Sequence, residues 1–287
     1  KTYTAEEAKD YLISHFTSFS QDMADMMTQA FDESWIDFYP RPGKVGGAFC
    51  ANLTRQKQSR VLTNFDGSLN SIGTLAHELG HAYHGLHIQN HKPLNTNYTM
   101  PVAETASTFN ENVIMSAAID QALGKEKLAL IESQLQDFTQ TICDIYSRFI
   151  FENAVFSKTK EEFLFPDQLK EIMNDAQIKA YGEGLDPDYR HPYMWACKGH
   201  YYSEHLSYYN FPYAFGALFS KGLYAMYRKE GESFVPKYQA LLNATTTQNV
   251  EDVAKMVGAD ITKPDFWRDS LQLISDSIDT FMELTNK

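Results

Sequence analysis

Leu75-Ala76-His77-Glu78-Leu79-Gly80-His81-Ala82-Tyr83-His84 is the stretch on which the reading of this 287-residue chain turns. Leu75, Ala76, Leu79 and Ala82 recur at helical spacing and give the segment an apolar side. A helix is expected to begin near Ser68–Ser71 and to run past His84. On a helix, residues i and i+4 share a face about 6 Å apart, so the imidazoles of His77 and His81 can reach one metal ion. Glu78 points about 100° away around the helix. It is too far round to ligate comfortably, yet it can reach a water bound to that ion and act as general base. Gly80 costs such a helix about 1 kcal/mol relative to alanine, which suggests close approach by another backbone or a ligand.

Two histidines do not close a catalytic zinc site, which takes three protein ligands and one open position for water. Downstream lies Pro101-Val102-Ala103-Glu104-Thr105-Ala106-Ser107-Thr108-Phe109-Asn110-Glu111. Pro101 suits the first turn of a helix, and Glu104 then falls in an early turn, where the helix dipole favours a carboxylate. A second helix beside the first would complete a His77, His81 and Glu104 set. Glu111 shares nearly the same face as Glu104 but sits about 10 Å further along a straight helix. It either orients a ligand histidine or is a surface carboxylate. His84 is a candidate for the neighbouring wall, and His87 and His91 are expected to face solvent.

Residues 39–47, with two prolines and three glycines, cannot be helix. Ala48–Leu53 and Arg60–Phe65 read as two strands joined by a polar Thr54–Ser59 turn. An exposed edge there could pair with an extended peptide through its backbone. Gly43–Gly47 lacks phosphate-loop spacing. Thr4 and Glu7 form a capping box ahead of a Met and Phe stripe (Phe16, Phe19, Met23, Met26, Met27) that reads as core. Residues 125–157 are periodic, with Leu128, Leu130, Ile131, Leu135, Phe138, Ile142, Ile145, Phe149 and Ile150 on one broad face. Pro166 opens a further helix, an aromatic-rich stretch covers 193–227, and amphipathic helices follow. No repeat or linker interrupts the chain. The expectation is a mainly α fold with a small β-sheet next to the zinc-binding helix, in a single domain over residues 1–287.

Acidic residues outnumber basic ones 37 to 25, for a net charge of -12 that repels phosphate backbones, so no nucleic acid partner is expected. No run of 18 apolar residues exists, so no membrane-spanning helix is expected. Cys50, Cys143 and Cys197 are odd in number and widely spaced, which gives neither a disulfide framework nor a cysteine zinc module. The first residues have no signal-peptide core and no starting Met. A cytoplasmic location, and a chain that is a fragment or a processed product, fit this best.

A second chemical cluster is His200-Tyr201-Tyr202-Ser203-Glu204-His205-Leu206-Ser207-Tyr208-Tyr209-Asn210-Phe211-Pro212-Tyr213. Peptide hydrolysis builds negative charge on the carbonyl oxygen, and Tyr hydroxyls and His N–H groups are suitable donors to it. Phe211, Phe215 and Phe219, at i, i+4 and i+8, read as core.

His77–His84 followed by Ala103–Glu111 closely resembles the oligoendopeptidase F group of the thimet-oligopeptidase family of zinc metallopeptidases. Gly43-Lys44, Gly46-Gly47-Ala48-Phe49-Cys50 and Phe211-Pro212-Tyr213-Ala214-Phe215-Gly216 resemble that group too. The resemblance implies a zincin-like helical metallopeptidase catalytic domain with one Zn2+ per chain. It implies a metalloendopeptidase that hydrolyses oligopeptides by attack of a zinc-bound water, with Glu78 as general base. It further implies that a histidine and tyrosines face the zinc and bind the tetrahedral intermediate. Tyr209 and Tyr213 resemble the tyrosine pair, and His200 fits the histidine by its His-Tyr-Tyr context, with His205 as rival. Family members are about twice this length, and their N-terminal half covers the catalytic half. The resemblance therefore implies the C-terminal catalytic half, with the missing N-terminal half as a partner. The competing reading is a non-catalytic peptide- or protein-binding helical module, inactive without that half. A zinc deaminase would show H-x-E with P-C-x-x-C, and that pair is absent.

Overall fold

The computed structural model describes residues 2–285 and is mainly helical. α1 (Ala5–Thr17) opens on Thr4, whose hydroxyl accepts the Glu7 N–H while the Glu7 carboxylate accepts the Thr4 N–H. This is the expected capping box, and it satisfies two donors that the first turn leaves unpaired. α2 (Gln21–Asp32) follows, and Met23, Met26 and Met27 are buried on it.

Strands β1 (Ile36–Asp37), β2 (Phe49–Leu53) and β3 (Gln58–Leu62) form one small sheet in the order β1-β3-β2. β1 runs parallel to β3, and β2 is antiparallel to it with Cys50 opposite Val61. β2 is an edge strand. The second strand starts two residues earlier and stops three earlier than expected, because Lys57 takes a left-handed conformation (φ 52°) that tightens the turn. Beyond Leu62 the backbone still donates to its neighbour, Thr63 N–H to Asp37 O and Phe65 N–H to Phe38 O.

α3 (Leu69–Ile88) starts where Ser68 Oγ accepts the Ser71 N–H at 3.1 Å. Then come α4 (Met100–Ala103), α5 (Thr105–Gln121), α6 (Gly124–Thr139), a π-helical turn (Gln140–Asp144), α7 (Ile145–Lys158) and α8 (Pro166–Tyr181). Short 3-10 turns between Gly182 and Tyr202 lead to α9 (Phe211–Glu230), α10 (Val235–Ala244), α11 (Val250–Met256) and α12 (Pro264–Thr285). Among the described residues no helix is long and apolar enough to cross a membrane.

Contacts divide the chain into two compact units, residues 1–132 with 216–287 and residues 133–215. The first unit packs the apolar side of α3, with Leu75, Ala76 and Leu79 fully buried, against α5. Phe109 of α5 stacks on Tyr238 of α10 with ring centroids 4.5 Å apart. The second unit has its own core of Phe151, Leu164, Ile172, Met173 and Ala176.

Three expectations about exposed and buried faces are corrected. The stripe drawn through 125–157 holds only in part beyond residue 140, where Ile145 is buried as expected but Phe149 is exposed, while Asp144, Ser147 and Glu152 are buried. The π-helical turn inserts one residue into the 3.6 period, which rotates everything beyond it by about 100°. Phe211 is exposed rather than core, while Phe219 is buried. His87 and His91 are half-buried rather than fully solvent-facing. His87 packs edge-on against Tyr83, and His91 Nδ1 meets Thr246 Oγ1 at 2.7 Å.

Lys221 of α9 is buried and donates to Asn112 Oδ1 of α5 at 3.1 Å, tying the two helices together. Burial lowers its pKa from 10.5 to about 8. Between those two values the unfolded chain binds the extra proton, so stability rises as pH climbs from 8 towards 10.5, and the cost is undiminished below 8. The difference in unfolding free energy between wild type and Lys221→Met should therefore shift by about 3 kcal/mol across that window, in favour of wild type at high pH. Urea unfolding at about pH 7 and about pH 10 measures it. A difference that does not move with pH would show that Lys221 keeps its proton inside the fold.

Candidate active site

The spacing of His77 and His81 puts both imidazoles on one side of α3, edge to face, with centroids 4.9 Å apart. Gly80, between them, is where α5 crosses. A Cβ on Gly80 would lie 2.6 Å from Ala106 O and 2.7 Å from Ser107 Cα, so only glycine admits that backbone. Asn110 Nδ2 donates to Ala76 O at 3.1 Å and closes the crossing with a buried hydrogen bond.

Glu104 does not sit inside a helical turn, as the sequence reading had it. It occupies the break between α4 and α5, at φ -91° and ψ 6°. The bend lets its side chain turn to the histidines while its carbonyl receives Thr108 N–H at 3.1 Å. Ser107 Oγ donates to Glu104 Oε2 at 2.8 Å. On the other side Gly216 backs the carboxylate stem, where a Cβ would come within 2.8 Å of Glu104 Cβ.

Glu104 Oε2 lies 3.3 Å from His77 Nε2 and 3.3 Å from His81 Nε2. The three donor atoms all fall within 4.8 Å of one another. A tetrahedral ion bound at about 2.0–2.1 Å has ligand atoms about 3.3 Å apart, which is the distance from the Glu104 oxygen to each imidazole nitrogen. Glu111 Oε1 lies 2.9 Å from His77 Nδ1, on the opposite side of the ring from Glu104. Glu111 therefore meets the far nitrogen of His77 and does not join Glu104 at the three converging atoms, as their separation along the chain led one to expect. His77 is gripped through both nitrogens.

Burial works to raise Glu104, but hydrogen bonds from His77 and His81 outweigh it and hold the carboxyl far below the usual carboxylate range. Burial likewise opposes charge on His77, and hydrogen bonds to Glu104 and Glu111 outweigh it and push its pKa up to about 10. The cluster thus has a strong appetite for positive charge at the lone pairs where a cation would sit, and proton and metal compete for them. Glu78 is buried on the same helix, and burial raises its carboxyl above the ordinary value against the pull of His77 and His81. His84 is fully buried, meets Thr245 Oγ1 at 2.7 Å and stacks on Tyr98. It braces α3 rather than facing a ligand.

Asn52 on edge strand β2 donates to His81 O at 3.2 Å and accepts from Ser59 Oγ at 2.7 Å. It fills the notch left by Gly85, where a Cβ would strike its amide. In the second unit, Tyr213 donates its hydroxyl proton to Tyr209 at 3.1 Å, and the His200 ring lies 5.8 Å from that of Tyr209. The rival His205 is exposed, beside Glu204. Asn52, Ser107, Asn110, Gly216 and Asn210 were missed as supporting residues. Only Ser107, three residues after the Glu104 carboxylate, carried a local signal.

The sequence pattern of peptidase family M3 matches residues 6–273, and the chain belongs to that family. It is 29% identical over 287 residues to the oligopeptidase PepF of Bacillus subtilis (strain 168), covering 99% of this chain and 42% of that protein. It is 26% identical to the chromosomal oligoendopeptidase F of Lactococcus lactis subsp. cremoris, over 94% of this chain and 44% of that one. Among solved structures, oligoendopeptidase-F from Enterococcus faecium superposes with a TM-score of 0.70 at 18% identity, over 99% of this chain and 44% of that one. A crystal structure from Chlamydophila abortus superposes with a TM-score of 0.86 at 22% identity, over 99% of this chain and 48% of that one. The chain thus has the helical fold of these proteins, and it spans less than half the length of the curated relatives it matches.

Proposed function

We propose that the chain is the catalytic module of a zinc-dependent metalloendopeptidase that hydrolyses oligopeptides. The observation that carries this reading is the convergence of His77 Nε2, His81 Nε2 and Glu104 Oε2 within 4.8 Å of one another, beside the helix that also bears Glu78. One Zn2+ held there would supply Lewis-acid activation of water and polarisation of the scissile carbonyl. Glu78 takes the proton of the attacking water and passes it to the leaving amine nitrogen. Glu111 accepts the His77 Nδ1 proton and so leaves Nε2 as the lone pair directed at the ion. His200, Tyr209 and Tyr213 donate hydrogen bonds to the carbonyl oxygen as it becomes an oxyanion. Edge strand β2, with Phe49 and Leu53 exposed, offers backbone groups to an extended substrate, which accounts for reading peptides with loose side-chain preference.

Both units are taken to serve one catalytic module, and the free thiols of Cys50, Cys143 and Cys197 favour the cytoplasm. The relatives named as oligopeptidases are more than twice as long, so the partner we propose is an N-terminal half like theirs. The test is metal analysis with a quenched fluorescent peptide, before and after a chelator, for the chain alone and with such a half added. Hydrolysis that is lost on chelation and restored by zinc is expected. Bound zinc without hydrolysis in either mixture would favour a peptide-binding module instead.

A further inference from the structure

Asn210 is 2% exposed and sits at the centre of a polar cluster inside the second unit. Arg148 Nη1 donates to its Oδ1 at 2.9 Å, and Arg148 is held in turn by Asp144. Its Nδ2 lies 2.9 Å from His200 Nε2 and 3.5 Å from Glu152 Oε2. Glu152 Oε1 also accepts the N–H of Tyr208, a non-glycine residue in the left-handed region at φ 55°. That backbone conformation is costly, and the buried carboxylate holds it.

The two faces of an amide can be told apart by their partners. A guanidinium only donates, so Arg148 must face the amide oxygen. Turning the amide over would set its NH2 against a buried cation. The NH2 therefore points at His200, and His200 Nε2 must be the acceptor, because two donors cannot share a hydrogen bond. A neutral imidazole that accepts at one nitrogen carries its proton on the other.

We propose that Asn210 is a positioning residue that locks His200 in the Nδ1–H tautomer, so that the donor His200 presents to a peptide carbonyl is Nδ1–H. This rests on the reading of His200 as an oxyanion donor given above. Burial, together with the positive charges of Arg148 and Lys198, lowers the His200 pKa, the direction that favours a neutral ring. The chain of contacts Asp144–Arg148–Asn210–His200 then does for an oxyanion donor what a carboxylate does for a metal-bound histidine.

The test is long-range 1H–15N NMR of the full chain labelled with 15N, with the His200 ring assigned by its loss in His200→Gln. In wild type the Nδ1 signal should be pyrrole-like and the Nε2 signal pyridine-like. Asn210→Asp can still face Arg148 but has no hydrogen to give Nε2, so the ring should move its proton to Nε2 or take a second one. Its kcat on a fluorogenic peptide should fall by about 10²-fold, with KM nearly unchanged. An Nε2–H ring in wild type, or an unaltered Nδ1–H ring in Asn210→Asp, would overturn the proposal. The wild-type spectrum decides even if the variant does not fold. No hydrolysis by wild type, alone or with the N-terminal half added, with the ring as stated would defeat the enzymatic reading alone. Hydrolysis with an Nε2–H ring would defeat the positioning role alone.

Discussion

Glu78→Gln is expected to bind zinc as wild type does and to hydrolyse peptides about 10³-fold more slowly. Glutamine matches the shape of glutamate, so the helix and the three ligand side chains have no reason to move. What it lacks is a lone pair basic enough to take a proton from water and give it back to an amine. General acid–base catalysis contributes about 10²–10⁴-fold, or about 3–5.5 kcal/mol of barrier. The side chain is buried, so the change removes a charge from the interior instead of adding one, and the thermal midpoint should not drop. The measurement is kcat/KM beside zinc content and a melting curve. Near wild-type turnover in Glu78→Gln would refute the assigned base.

Gly80→Ala should lower stability and zinc affinity together. The added methyl would lie 2.6 Å from Ala106 O, 2.7 Å from Ser107 Cα and 2.9 Å from Ala106 C. All three are backbone atoms, which cannot rotate away, so α5 must move off α3. Overpacking of this kind costs about 1–3 kcal/mol or more, against about 1 kcal/mol gained from alanine's better helix propensity. Glu104 lies two residues before Ala106, so the same shift pulls the carboxylate from the histidines. Gly73 of the same helix is the control, because a Cβ there meets nothing within 4 Å. Gly73→Ala should stabilise by about 0.5–1 kcal/mol and leave zinc binding alone. Chemical unfolding with a zinc titration checks both variants. Equal behaviour of the two alanines would contradict the close crossing.

Much of this site was legible in the sequence because its geometry is local. His77 and His81 need only helical spacing, Gly80 announced the close crossing, and Ser68 marked where the helix begins. Pro101 pointed to a helix start near Glu104, but the break at Glu104 depends on how α5 is held by Asn110 and Gly216, which local pattern does not encode. Spacing alone left Glu111 either beside a histidine or at the surface, and its contact with His77 Nδ1 favours the first. The buried polar cluster around Asn210 was hidden for a related reason. Asp144 closes the π-helical turn, and Arg148 and Glu152 follow it at i+4 and i+8, so a stripe drawn through apolar residues alone passes over all three and selects the exposed Phe149. His87 and His91 looked like solvent-facing residues at the end of a helix, and contacts with Tyr83 and with Thr246 leave them half-buried.

The most direct test of the metal site is an anomalous difference map, recorded at the zinc edge, from crystals of the chain equilibrated with zinc. The account predicts one strong peak bound by His77 Nε2, His81 Nε2 and a Glu104 carboxylate oxygen. A map with no peak among these three side chains, or with its strong peak elsewhere, would contradict it.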